Sequence, residues 1–330
     1  MNLLLIADPL EQFKTYKDTT YAMMREAARR GHALAACEPA QLAWQRGGMV
    51  TAQVREVRLD PAHDPHATHA KGHAAPGWFQ VTATRQAALK NFDAVLMRKD
   101  PPFDTEYLYT THLLEQAERE GARVFNRPRA LREHPEKLAI LEWPQFIGPT
   151  LVTRAAADIR RFHAEHRDII LKPLDGMGGM GIFRVGADGL NLGSIIETLN
   201  RDGATTVMAQ RYLPEIAQGD KRVLIIGGEP APYCLARIPQ GSEIRGNLAA
   251  GGKGVAQALT DADRATAQTI GRALAPRGLL LIGLDIIGDR VTEINVTSPT
   301  CFQEIRDQTG CDVAALFIDA LEQAVHQQRD

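Results

Sequence analysis

Lys172 ends the apolar run "IILK", and Gly176, Gly178, Gly179 and Gly181 stand between it and a second run, "IFRV". A fixed ammonium beside unhindered backbone N–H groups suits phosphate, which needs both charge and close donors. Gly176, Gly178 and Gly181 satisfy G-x-G-x-x-G, a pattern that marks a dinucleotide site only where a helix starts at the third glycine. Here "IFRV" and Gly186 to Gly189 read as strand and turn, so the glycines sit in a hairpin loop. No Gly-Lys-Ser or Gly-Lys-Thr closes a Walker loop, and neither H-R-D-x-x-x-x-N nor D-F-G marks a protein kinase. The expectation is a glycine flap, 175–181, over the phosphates of a nucleotide. The alternative is a hairpin whose glycines serve positive φ and nothing more.

A second group lies in "GLDIIGDRVTEINV". Glu293 and Asn295 are two apart in a strand and share a face. A turn at Gly288-Asp289-Arg290 sets Asp285 opposite Glu293, whereas a turn at Gly288-Asp289 alone puts it on the other face. In the first register three oxygen-bearing side chains converge, a donor set suited to Mg²⁺. Leu279 to Ile287 is apolar almost throughout, as in a strand buried on both sides. An exposed sheet face with ordinary polar residues is the competing explanation.

The third group is basic. "RIPQGSEIRGNLAAGGKG", 237–254, carries five glycines and reads as structureless, with Arg245 near its middle and Arg222 and Arg237 on the neighbouring hairpin. Loops longer than roughly 12 to 15 residues in a compact protein are lids, binding loops or disordered segments. A lid closing over an anionic substrate would exclude water; a tether with incidental charge is the other possibility.

These groups need rigid elements beneath them. Leu3 to Ala7 reads as a strand, followed by a helix with Asp18 or Thr19 as N-cap and Gly31 as stop; "FDAVLMR", Thr105 to Glu120 and "ARVFN" repeat strand, helix, strand. That alternation predicts a parallel sheet with helices on its faces. From about residue 127, strands come in pairs: "DIILKPL" with "GIFRV", "RVLIIGG" with "PYCLARI", and "LLLIGLDII" with "RVTEINV", interleaved with helices such as Thr260 to Arg277 and Val313 to His326. The expected fold class is α/β and α+β: an N-terminal parallel-sheet, Rossmann-like domain followed by two α+β lobes. Residues 60–77, with His63, His66, His69 and His73 among prolines and glycines, read as an exposed insertion loop rather than a metal-binding helix.

At 330 residues the chain exceeds one ordinary core, and two or three compact units follow. With 44% hydrophobic and 24% charged residues and a net charge of -2, the surface has no global bias toward nucleic acid or anionic membrane, so any anion site is local. Cys37, Cys234, Cys301 and Cys311 form no metal or disulfide pattern and read as free thiols in a reducing compartment. Cys234 and Cys301 have no identifiable base and read as structural. The short apolar start is no secretory signal, nothing approaches the roughly 20 apolar residues of a membrane span, and a cytoplasmic location is expected.

The strings "MRKDPPFDTEY", "ILKPLDGMGG", "GDKRVLII", "CLARIPQG", "RGNLAAGG" and "GLDIIGDRVTEINVTSPT" occur in that order, and together they resemble the prokaryotic glutathione synthetases of the ATP-grasp superfamily over most of the chain. The resemblance implies an N-terminal domain (1–126), a central lid domain (127–207) and a C-terminal domain (208–330) with lid loop 238–254 and metal hairpin 283–297. It implies a homotetramer, and a reaction: γ-glutamylcysteine, glycine and ATP give glutathione, ADP and phosphate through an acyl phosphate. By position, Lys137 and Lys172 would hold the ATP phosphates under a flap of Gly176, Met177, Gly178 and Gly179. Gln210, Tyr212 and Leu213 would line the adenine site, with Asp220 near the ribose. Asp285, Glu293 and Asn295 match the Mg²⁺ ligands, with Mn²⁺ as a substitute. Arg222, Arg237, Arg245, Ser298 and Thr300 match residues around the dipeptide and acyl phosphate. Met180-Gly181 replaces the small or hydroxyl residues expected there, leaving a backbone cradle. Two other functions fit the same residues: an ATP-grasp carboxylate–amine ligase with another acceptor, and a non-catalytic nucleotide-binding regulator.

Overall fold

The computed structural model describes residues 1–66 and 77–327. The first sheet comprises β1 (Asn2–Ile6), β2 (Ala33–Cys37), β3 (Leu42–Ala43), β4 (Thr51–Leu59), β5 (Phe79–Ala88), β6 (Ala94–Met97) and β7 (Val124–Phe125), ordered β3-β4-β2-β1-β6-β7 with β5 on β4. Its centre, β2-β1-β6-β7, is parallel as expected. Helix α1 (Thr19–Arg29) starts at Asp18, whose Oδ1 accepts from Tyr21 N at 2.7 Å, and α2 (Thr105–Arg119) starts at Asp104 in the same way. The sheet is nevertheless mixed, because β3, β4 and β5 add antiparallel pairings. Sequence periodicity missed β4 and β5 for physical reasons: a register shift between Glu56 and Val57 breaks the alternation of β4, and β5 is exposed along most of its length. The predicted histidine loop has its centre, with His69 and His73, outside the described residues. Of its flank, His63 Nε2 lies 3.0 Å from Thr15 Oγ1 and His66 pairs with Asp307.

Helix α3 (Pro128–Glu133) leads to a second, wholly antiparallel sheet of β8 (Thr150–Thr153), β9 (Ile169–Pro173), β10 (Phe183–Val185) and β11 (Val207–Arg211), ordered β10-β9-β11-β8. Helices α4 (Ala156–His166) and α5 (Leu192–Asn200) cover one face with Ile159 and Ile196, over Ile169, Leu171 and Val207. The third sheet contains β12 (Asp220–Ile226), β13 (Glu229–Pro230), β14 (Tyr233–Ile238), β15 (Lys253–Ala258), β16 (Leu281–Ile287) and β17 (Arg290–Asn295), ordered β15-β14-β12-β16-β17 with β13 on β12. The predicted helices appear as α6 (Asp261–Leu274), capped by Thr260, and α8 (Val313–Gln327), with α7 (Phe302–Thr309) between β17 and α8. Phe302, Phe317 and Leu321 share one buried cluster with Leu3, Leu5 and Met23, so the first and third sheets are joined by a continuous apolar core.

Asn126 pins that join. Its Nδ2 donates to Leu281 O and Val296 O, each at 2.8 Å, and its Oδ1 accepts from Leu281 N at 2.9 Å, all buried. Leu281 begins β16 and Val296 follows β17, so one side chain closes the open end of that hairpin. Asn126→Asp keeps the acceptor and removes both donations. It is expected to lower stability by about 2–4 kcal/mol, read as the shift in urea unfolding; an unchanged midpoint would show that these bonds contribute nothing.

Candidate active site

The second and third sheets face each other across a cleft of about 300 Å³, and every residue that the family resemblance assigns to a site lies on its lining; Gly181 of the glycine run does not. Lys172 comes from β9 and Gln210 from β11 on one side; Asp220 and Arg222 from β12, Arg237 from β14, Asp285 from β16, and Glu293 and Asn295 from β17 on the other. Lys137, the flap residues Gly176 to Gly179, Tyr212, Leu213, Arg245, Ser298 and Thr300 complete the set. The lining holds seven basic side chains against five acidic ones, so its missing complement is an anion.

The hairpin register differs from the expected route to the same result. The turn is the two-residue Gly288-Asp289, with Ile287 paired to Arg290, which alone would put Asp285 and Glu293 on opposite faces. A bulge between Asp285 and Ile286 absorbs one extra residue of β17, so Asp285 pairs with Glu293 and Gly283 with Asn295. Asn295 Nδ2 donates to Gly283 O at 3.1 Å, leaving Oδ1 as the atom available to a cation. Two carboxylates and an amide oxygen on adjacent strands are hard donors that fit Mg²⁺. Among the described residues no three His, Cys, Asp or Glu side chains cluster as a metal site, since the third donor here is an amide.

Asp220, Asp285, Glu293 and the lysines and arginines facing them are held by counter-charges or backbone carbonyls. Asp285 receives Arg222 Nε on Oδ1 at 2.6 Å and Arg237 Nη2 on Oδ2 at 2.9 Å. Burial opposes its ionisation, yet the two guanidinium groups hold its carboxyl below the usual carboxylate range. Asp220 pairs with Arg237, but burial outweighs that partner and pushes it up to about 6. Lys137 Nζ bridges Glu293 Oε1 (2.9 Å) and Gly176 O (2.6 Å), tying β17 to the glycine flap. Among the described residues Lys172 Nζ donates only to Thr292 O, at 3.1 Å, and burial pushes it down to about 8.

Near Tyr212, the Arg184 guanidinium lies 3.7 Å from the centre of the tyrosine ring and is fixed by two bonds to Asp168. Gln210 Nε2 donates to Thr150 Oγ1 at 3.2 Å.

The lid segment is shorter than expected. Lys253 to Ala258 forms β15 along β14, and Leu248–Ala250 makes a 3₁₀ turn. Few large apolar residues mark β15, which hid it. The lid meets the flap directly: Arg245 Nη1 donates to Gly179 O at 3.1 Å, and a Cβ on Gly179 would stand 2.6 Å from Asn247 Oδ1. Gly179, at φ +83°, is therefore a contact surface as well as a turn. Met180 is 61% exposed at the cleft edge.

All four cysteines are free. Cys234 is pushed up to about 11 by burial, and burial likewise raises Cys301, which lies on the cleft, so neither is a ready thiolate. Sequence reasoning missed Glu136, Asp100 and Asn247, which also line the cleft. Adjacency to Lys137 was the only signal for Glu136.

No described helix is long and apolar enough to cross a membrane. The family described as "Prokaryotic glutathione synthetase, N-terminal domain" matches residues 1–132, and "Prokaryotic glutathione synthetase, ATP-grasp domain" matches 136–310. Relatives named glutathione synthetase include one from Ralstonia nicotianae, 56% identical over 98% of this chain and 96% of its own length. Another, from Neisseria meningitidis serogroup B, is 57% identical over 97% and 98%. Among solved structures, D-cycloserine synthetase DcsG aligns with a TM-score of 0.67 at 17% identity, over 98% of this chain and 100% of that one. The ATP-grasp ligase PsnB with its minimal precursor aligns with a TM-score of 0.59 at 19% identity, over 97% and 98%. The structural likenesses establish an ATP-grasp fold, and the near full-length identity is narrower still: the chain belongs to the prokaryotic glutathione synthetase family.

Proposed function

We propose that the cleft joins γ-glutamylcysteine to glycine with ATP, releasing glutathione, ADP and phosphate. One observation carries this reading: the phosphate-type, metal-type and arginine groups, far apart in sequence, line a single cleft between two antiparallel sheets. A carboxylate is a poor electrophile, so the cysteinyl carboxylate first takes the γ-phosphoryl group. The glycine amine then attacks the acyl phosphate and phosphate leaves.

The protein's part is positional and electrostatic. Lys137 and Lys172 meet the phosphates beneath the backbone N–H groups of the flap. Asp285, Glu293 and Asn295 would hold Mg²⁺, or Mn²⁺ in its place, which supplies charge neutralisation at the transferring group. Gln210, Tyr212 and Leu213 receive the adenine, with Asp220 at the ribose. Arg222, Arg237, Ser298 and Thr300 hold the dipeptide and the acyl phosphate, and Arg245 on the lid shields that intermediate from water. The reading includes a cytoplasmic homotetramer with domain limits near residues 126 and 207, features carried over from the family resemblance and the sequence.

An ADP-release assay with ATP and Mg²⁺, omitting each amino-acid substrate in turn and identifying the product by mass, tests the whole. ADP formation that requires both substrates and yields glutathione is expected; turnover without that product would assign the cleft to another acceptor.

Lys172 adds a pH dependence. Without nucleotide it loses its proton above about pH 8, and phosphate favours the charged form, so binding takes up a proton there. Nucleotide affinity measured by calorimetry should be flat below pH 8 and fall above it, approaching about tenfold per pH unit. Lys172→Arg should flatten the curve. A wild-type affinity constant from pH 7 to 9.5 would remove Lys172 from the phosphate site.

Arg245→Ala is expected to lower kcat about tenfold or more, or to raise ATP hydrolysis without glycine, while ATP affinity changes little. A change confined to ATP affinity would make Arg245 a nucleotide contact and end its lid role.

A further inference from the structure

Residues 296–301 connect β17 to α7 and place Ser298 and Thr300 on the cleft. Two ionisable side chains from outside the third sheet, Arg98 buried and Glu136 half-buried, grip this connection. Glu136 Oε1 accepts from Val296 N (2.9 Å), Thr297 N (3.0 Å) and Thr297 Oγ1 (2.7 Å), and Glu136 O accepts from Ile294 N at 2.9 Å. From the opposite direction Arg98, at the end of β6, donates from Nη2 to Pro299 O at 3.1 Å and from Nε to Thr20 Oγ1 at 3.2 Å. Pro299 rests on Gly283, where a Cβ would stand 3.2 Å from the proline Cβ and 2.9 Å from Arg222 Cδ.

Neither charge has a structural reason apparent in its own element. Arg98 is 5% exposed, and among the described residues neither it nor Glu136 forms an ion pair with a side chain. A deeply buried cation is costly even with the Asp100 and Asp18 carboxylates acting on it without direct contact, and a neutral side chain would serve packing better. What both charges do have is strong hydrogen bonding to one short stretch of backbone.

We propose that Arg98 and Glu136 are positioning residues that clamp residues 296–301 from two sides and so set Ser298 and Thr300 for the amino-acid substrate, not for the nucleotide. The clamp makes the dipeptide site depend on the first sheet, since Arg98 directly follows β6 and its second acceptor belongs to α1. Its substrate assignment rests on the ligase reading given above; its geometry does not.

The test therefore has two arms. In the first, backbone hydrogen exchange is followed at Val296 and Thr297 without substrates. Glu136→Leu should lose protection there at least tenfold, while Glu136→Gln, which keeps an Oε1 acceptor, should retain most of it. Unchanged protection in Glu136→Leu, or equal loss in both variants, would overturn the clamp.

In the second arm, Arg98→Lys keeps the charge but cannot serve both acceptors. It should raise the KM for γ-glutamylcysteine at least tenfold with the ATP KM within twofold of wild type. Parallel rises in both KM values, or an unchanged dipeptide KM, would overturn the substrate assignment. If Arg98→Lys or Glu136→Leu fails to fold, Thr297→Val removes a single donor and should move the exchange rate and dipeptide KM in the same direction, less far. Its failure to move either would overturn the proposal. A wild-type protein that makes no glutathione would instead sink the ligase reading and leave the exchange arm to judge the clamp.

Discussion

The third sheet is organised around a requirement that buried charges be matched. Asp220, Arg222, Arg237 and Asp285 stand on three adjacent strands, and the strand register pairs Asp220 with Arg237 and Arg222 with Asp285. Any slip of β12 against β14 or β16 would strand a charge in an apolar interior, a penalty far larger than the loss of a few ladder bonds. The same charges that hold the register also face the cleft. Scaffold and site are thus built from one set of ion pairs, and the strands cannot drift without the site failing first.

The remaining elements connect this centre to distant parts of the chain. Lys137 links Glu293 to the flap carbonyl of Gly176, Arg245 links the lid to Gly179, and Asn126 fastens the hairpin to the first sheet. Each link ends on a backbone group. The arrangement therefore depends on chain geometry more than on side-chain packing, which is consistent with the tight glycine contacts at 179 and 283. Lys172 too ends on a backbone group, but among the described residues on a single carbonyl, which leaves it short of the solvation a cation needs.

Much of this was legible in the sequence because local rules carry it. Strand pairs announced by apolar runs and glycine turns gave the hairpins, and Asp18, Asp104 and Thr260 sit where helix caps should. Glu293 and Asn295 share a face by the period of a strand alone. What the sequence hid arises from tertiary context. The pairing of β4 with β5 joins segments without clean alternation, and β15 gains its place from β14 rather than from its own composition. Glu136 and Arg98 acquire meaning only when residues 296–301 fold between them.

The bulge in the β16–β17 hairpin makes the site a question of parity. Between Asp285 and Glu293 the chain runs through a two-residue turn plus one surplus residue, and only the sum brings the two carboxylates to one side. Within the turn Asp289 is exposed and unconstrained by packing, whereas Gly288 is held to glycine by its φ of +61° and by Glu215, and the count of residues is fixed as well. An insertion or deletion of one would leave the hairpin paired, buried and stable in outline while rotating half of the donor set out of the cleft. Chain length at this point is therefore as much a part of the site as its side chains.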